Sequence, residues 1–293
     1  MARLNILKTY KIYIGGQFPR TESGRFYPLL DKAGNTIANV CLSSRKDFRN
    51  AVVAARNAQG SWSGKPAFNR GQILYRIAEM LEGRKSQFLE ELTVQGYTLK
   101  AAQAEFELSV DRLVYYAGWC DKYQQIYGSV NPVATSHFNF SVPEPTGVVS
   151  IIAPNNTSLI GLVSSITPVI VGGNTCVVLA SEKFPLCSVT FAEVLNSSDV
   201  PGGVVNILTG KSSELVSHFS SHMDVNAMIY CGNNKEEILL TEQNATLNVK
   251  RVCVYDENWM QENSQGAHYI MDLQEIKTTW HPIENIGGGG AKY

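Results

Sequence analysis

The chain has 293 residues, 44% of them hydrophobic and 17% charged, and its 25 basic against 26 acidic residues leave a formal net charge of -1. That balance gives no electrostatic footprint for nucleic acid or an anionic membrane. No run of 18 apolar residues offers a membrane span, and the opening Met-Ala-Arg-Leu-Asn-Ile-Leu-Lys lacks the apolar core of a secretory signal, so a cytoplasmic location is expected.

The length suits one α/β domain with appended elements. Residues 10–40 alternate apolar and polar with turn signals at Gly15-Gly16, Ser23-Gly24 and Gly34-Asn35, which predicts short strands and hairpins. Ser44 followed by Asp47 has capping-box spacing and starts a helix through residue 58. Helical periodicity continues over 68–92, interrupted at Gly83, and over 99–123. The aromatic stripe Tyr115, Tyr116, Trp119, Tyr123 and Tyr127 reads as core or interface rather than as a ligand box.

Residues 129–142 are rich in Pro, Ser, Thr and Asn around an alternating His137 to Ser141, the pattern of an exposed β-hairpin arm. Three β-branched runs follow, at 148–152, 175–179 and 204–208, each pair separated by a helix-length segment. Continuous apolar runs of this kind are strands buried on both faces of a parallel sheet, so a βαβαβ unit is expected at the centre. A helix at 213–221, a strand at 225–231, a helix at 234–243 and a strand at 249–255 extend it. Residues 257–266 read as a polar loop, 269–280 as a last extended segment, and the glycines at 287–290 as a flexible tail. Six cysteines, at 41, 120, 176, 187, 231 and 253, form no CxxC pair and read as buried free thiols, with no metal site.

The ordered series Pro-Glu-Pro-Thr-Gly-Val-Val from Pro143, Ile-Ala-Pro-x-Asn from Ile152, Gly-Gly-Asn-Thr-x-Val-Val from Gly172 and Pro-Gly-Gly-Val-Val-Asn-Ile-Leu-Thr-Gly from Pro201 resembles the cofactor domain of the aldehyde dehydrogenase superfamily. The resemblance implies a Rossmann-like, doubly wound parallel sheet over 146–256, preceded by strands and helices over 1–128. It also implies an oligomerisation hairpin over 129–145, and a polar loop, terminal strand and tail over 257–293. NAD or NADP is the implied cofactor, with Ile152, Ala153, Pro154, Glu182, Gly232 and Asn233 at its site.

Against the resembling enzymes, the catalytic parts are thinned. Asn156 falls on the oxyanion position, but its neighbours differ, and it reads as a vestige with a local hydrogen-bonding role. Tyr255 stands where the general-base glutamate is expected, and a phenol with a reference pKa near ~10 is a poor base at neutral pH. Asp256 and Glu257 are next in sequence, but strand alternation would turn them away from that position. No Gly-Gln-x-Cys segment occurs. The cofactor lysine is replaced by Leu179, while Glu182 survives; losing a hydrogen bond to a charged group costs about 1.5–3 kcal/mol, roughly ten- to a hundredfold in affinity. Glu236 and Glu237 fill the first turn of the helix that should bind phosphate, neutralising its dipole.

The expectation is therefore a truncated, non-catalytic member, similar to the degenerate second copy of tandem-domain aldehyde dehydrogenases. Its cofactor binding would be weak or absent, and it would act as a homo-oligomer or as the partner of a full-length enzyme. A residual NAD(P)-linked oxidoreductase or nucleotide-binding protein is the alternative, and a ligand-free scaffold a third reading.

Overall fold

The computed structural model describes residues 6–283. The chain begins with a small sheet of β1 (Thr9–Tyr10), β2 (Phe26–Leu30) and β3 (Thr36–Cys41), in the order β1-β3-β2. Helix α1 (Arg45–Ser63) starts at the predicted capping box: the Ser44 hydroxyl accepts from the Asp47 amide, and the Asp47 carboxylate accepts from the Ser44 amide at 2.8 Å. It runs to Ser63 rather than to residue 58 because Trp62 is fully buried, its indole N–H donating to the Ile170 carbonyl at 3.0 Å. The other N-terminal helices are α2 (Ala67–Glu82), α3 (Lys85–Val94), α4 (Leu99–Ala117) and α5 (Tyr123–Tyr127), with the break at Gly83. Tyr116 and Tyr123 of the aromatic stripe are core, while Tyr127 is exposed.

The centre is β6 (Val148–Ile152), α6 (Ile160–Val171), β7 (Thr175–Leu179), α7 (Leu186–Asn196), β8 (Val205–Leu208), α8 (Ser212–Ser221), β9 (Ala227–Cys231), α9 (Lys235–Ala245) and β10 (Arg251–Tyr255). Its five strands are parallel in the order β10-β9-β6-β7-β8. Alternation along each strand feeds two cores. Val149, Ile151, Val178 and Ile229 face α2, α4, α6 and α7, whereas Val148, Ile152, Leu179 and Met228 face α1 and α8. This two-sided burial is why the strands read as unbroken apolar runs. The Pro-Gly-Gly turn before β8 is glycine by necessity. Gly203 sits at φ +95°, and a β-carbon there would lie 2.5 Å from the Ala54 carbonyl oxygen; at Gly202 one would lie 2.6 Å from that of Gly15.

The arm is β4 (Ser129–Asn131) and β5 (His137–Pro145). The segment expected to be extended over 269–280 is instead a short helix, α10 (His268–Met271), followed by β11 (Gln274–Pro282). Tyr269, Ile270 and Leu273 are buried against the core, and their spacing requires a helical turn. Strand β11 pairs antiparallel with β5 from Gln274↔Pro145 to Pro282↔His137, so arm and terminal strand join within one chain. The glycine-rich tail lies outside the described residues. Among these, no helix is long and apolar enough to cross a membrane.

Val249, at the turn from α9 into β10, adopts φ +54° while 93% exposed. A β-branched residue in the left-handed region is strained by roughly 1–2 kcal/mol with no compensating burial. Val249→Gly is expected to raise stability by about 1 kcal/mol after glycine's larger unfolded-state entropy is subtracted, and differential scanning calorimetry should show Tm up by about 1–2 °C. An unchanged or lower Tm would refute the strain argument.

Candidate functional site

The sheet order places a switch point between β6 and β9: the chain winds from β6 outward to β7 and β8, then returns to β9 on the other side. Loops leaving the carboxyl ends of neighbouring strands diverge there and open a crevice, the usual ligand position in such sheets. A cleft of about 570 Å³ occupies this place. Ile152, Pro154, Asn155 and Asn156 reach it from β6, and Glu182 and Lys183 from β7. Ser212 and Ser213 begin α8 at its rim; residues 230–234 and Glu237 come from β9 and α9; Tyr255, Asp256, Glu257 and Trp259 follow β10.

Of the residues expected at a cofactor site, Ile152, Pro154, Glu182, Gly232 and Asn233 line the cleft, while Ala153 is buried beneath it. Gly232 sits at φ +158°, a backbone conformation that residues with a side chain rarely adopt, and the Tyr230 ring lies 3.3 Å from where a β-carbon would sit. Leu179, at the position of the missing lysine, is core and does not line the cleft.

Asn156 is in the cleft but makes no side-chain hydrogen bond among the described residues. The local role expected of it belongs to Asn155, whose Oδ1 accepts from the Ser181 hydroxyl at 3.2 Å and the Glu182 amide at 2.8 Å, tying the β6 loop to the β7 loop. Tyr255 is no base. Its hydroxyl donates to Asp272 Oδ2 at 2.8 Å, and burial, with the Cys253 thiol and the Asp272 carboxylate beside it, pushes its pKa far up. Asp256 and Glu257 do face the cleft, contrary to the alternation argument, because β10 ends at Tyr255 and the chain turns over the opening. Asp256 Oδ2 accepts from Asn233 Nδ2 at 3.2 Å, linking the β10 and β9 loops.

Burial works against the two thiols nearest the cleft as nucleophiles. Cys231 lines the cleft but is 5% exposed, and desolvation raises its thiol pKa; Cys253 is raised to about 11 by burial and by the Asp272 carboxylate. A thiol that stays protonated does not attack a carbonyl.

The turn into α9 contains the residues that sequence reading missed. Asn234 is the N-cap, its Oδ1 accepting from the amides of Glu236 at 3.1 Å and Glu237 at 3.4 Å. The signal was available: Asn with Glu three residues on is an N-terminal capping signature. Glu237 Oε2 in turn accepts from the Tyr230 hydroxyl at 2.7 Å and the Ser212 hydroxyl at 2.8 Å. Burial and this carboxylate raise the Tyr230 pKa, keeping the phenol a donor. Two amides and two hydroxyls at the phosphate position thus already serve Asn234 and Glu237. Across the cleft, Glu182, Glu237, Asp256 and Glu257 face one ammonium, Lys183. No group of three or more potential metal ligands exists among the described residues.

The family model described as "Aldehyde dehydrogenase family" matches residues 20–255. Cytosolic 10-formyltetrahydrofolate dehydrogenase of Mus musculus is 30% identical over 86% of this chain and 29% of its own length. The mitochondrial benzaldehyde dehydrogenase of Antirrhinum majus is 32% identical over 83% of this chain and 46% of its own. Among solved structures, the NAD+ complex of an aldehyde dehydrogenase from Bacillus cereus superposes with a TM-score of 0.79 at 25% identity, covering 84% of this chain and 50% of that one. PnpE in complex with nicotinamide adenine dinucleotide gives 0.79 at 26%, covering 83% and 50%. The chain therefore spans half or less of these relatives.

Proposed function

The chain belongs to the aldehyde dehydrogenase family, and from that premise we propose that it is a non-catalytic member whose role is association, either with itself or with a full-length aldehyde dehydrogenase. The observation that carries this reading is a cleft without a reactive thiol, in a chain that keeps a complete arm. Val130, Phe138, Phe140 and Val142 share one face of the arm sheet and line an open groove, with Val130 68% and Phe138 46% exposed. Ile276 and Trp280 add exposed apolar surface on the opposite face. Contiguous apolar surface of this sort is covered in a working protein. The free thiols suit a reducing compartment such as the cytoplasm.

Dinucleotide binding is proposed to be weak. A pyrophosphate would meet helix amides already capped by Asn234 and a carboxylate, Glu237, where an anion needs donors. Two like charges ~4 Å apart at an effective dielectric of ~20 repel by on the order of 4 kcal/mol. The alternative, a residual NAD(P)-linked protein, draws on the position of the cleft at the switch point and on the NAD complexes of the structural neighbours.

The test combines assembly with turnover. Light scattering should give at least a dimer, and Val130→Glu with Phe138→Glu should give a monomer with unchanged Tm. NAD-dependent aldehyde oxidation should be absent. Point substitutions are required because Tyr269, Ile270 and Leu273 are core, each contributing about 1.5–3 kcal/mol by burial, so deleting the C-terminal segment would unfold the body. A wild-type monomer at high micromolar concentration, or turnover that is abolished by Asn156→Ala, would overturn the proposal.

A further inference from the structure

We propose that the cleft at the β6–β9 switch binds an uncharged polyhydroxylated ligand, a nucleoside or a glycoside, and rejects its phosphorylated forms, with Glu237 as the discriminating residue. The site is that of the function proposed above, but the inference rests on the cleft alone.

An ionised phosphate offers only acceptors, and so needs donors or cations. Here the Glu236 and Glu237 amides of the α9 turn are taken by Asn234, and the Tyr230 and Ser212 hydroxyls by Glu237. Glu237 thus occupies, as part of the protein, the place an anionic ligand would take. What still faces the opening is the complement of sugar hydroxyls. The carboxylates of Glu182 and Glu257 accept from an O–H without requiring a charged ligand, and the Asn156 amide both donates and accepts. Ile152 and Pro154 supply apolar wall at one place and Tyr255 aromatic wall at another, so a ring has surfaces to lie on. A cleft of about 570 Å³ is within the range of sites that enclose a small molecule.

The experiment uses the full chain, with calorimetry and saturation-transfer NMR against adenosine, AMP, NAD and the disaccharide maltose. At least one of adenosine and maltose should bind, adenosine alone marking a nucleoside site and maltose alone a glycoside site. AMP and NAD should bind at least about tenfold more weakly than the neutral probe, with the gap narrowing as salt screens the carboxylates. Glu237→Gln keeps the hydrogen bonds of Tyr230 and Ser212 within reach while removing the charge. It should strengthen AMP binding by about tenfold or more and leave the neutral probe within about twofold. Glu182→Ala, at a half-exposed position, should weaken the neutral probe with Tm unchanged. Wild-type binding of AMP as tight as that of adenosine, or binding of neither neutral probe at about 10 mM, a concentration at which even millimolar affinity registers, would overturn the proposal. A monomer that binds adenosine defeats the association reading alone, and a dimer that binds neither neutral probe defeats this inference alone.

Discussion

Arg112→Met is expected to destabilise the chain by about 3 kcal/mol or more and to release residues 258–266. Arg112 is fully buried on α4 and has no carboxylate among its hydrogen-bond partners. Its guanidinium donates to the Ser164 hydroxyl on α6 at 2.8 Å, to the Ser264 carbonyl, and to the carbonyls of Trp259 at 3.3 Å and Gln261 at 3.2 Å. Burial lowers its pKa. Two effects oppose each other on substitution. Removing an uncompensated buried cation is favourable, but three carbonyls and a hydroxyl lose their donor at once, and each buried acceptor left unpaired costs about 1–3 kcal/mol. The orphaned acceptors win, because a thioether supplies no donor. Urea denaturation should show the fall in stability. Limited proteolysis should cut within 258–266 under native conditions, where the wild type resists. Stability within about 0.5 kcal/mol of wild type would mean that the loop holds itself, through Trp259 packed against Tyr269 and Tyr255.

That loop marks the boundary of what could be read from the sequence. The strands of the central sheet were legible because burial on both faces leaves nothing but β-branched and apolar residues, and α1 because its cap is made by residues three apart. The loop was read only as polar since its anchor lies about 150 positions away and composition carries no trace of such a pairing. Tyr269, Ile270 and Leu273 did carry a helical signal, but β11 follows so closely that the two periods merge into one apparent strand.

In the cleft, the types of residue were legible and their directions were not. The resemblance pointed to Asn156, whereas the neighbouring Asn155 makes the hydrogen bonds, a difference set by how the chain leaves β6. The acidic first turn of α9 was read as neutralising the dipole that would bind phosphate. That Glu237 also engages Tyr230 and Ser212 depends on β9 and α8 coming side by side, which only the fold decides.

The stability of the wild type relative to Lys250→Met should rise between about pH 8 and pH 10. Lys250 precedes β10, is 6% exposed, and donates to the carbonyls of Ser220 at 2.7 Å and His222 at 2.9 Å at the end of α8. Carbonyl dipoles hold the ammonium, but no carboxylate is among its hydrogen-bond partners, and burial lowers its pKa from 10.5 to about 8. Between those two values the unfolded chain holds the Lys250 proton and the folded one releases it, so this group favours folding as the pH rises. Below the lower value both states are charged, and the full penalty of the buried ammonium is present. From about pH 7.5 to pH 10 the gain relative to Lys250→Met should be about 2 kcal/mol. The buried thiols and tyrosines act oppositely: burial raises Cys120 to about 12 and Cys253 to about 11, so they withdraw stability once pH passes the unfolded value of about 9, and it raises Tyr13 and Tyr269 to about 12, which do so above about 10. Both proteins share those thiols and tyrosines, so the difference between their urea midpoints, converted through a common m value, isolates Lys250. Parallel pH profiles would mean that the amine reaches water in the folded state and that its two carbonyl partners are not what hold it.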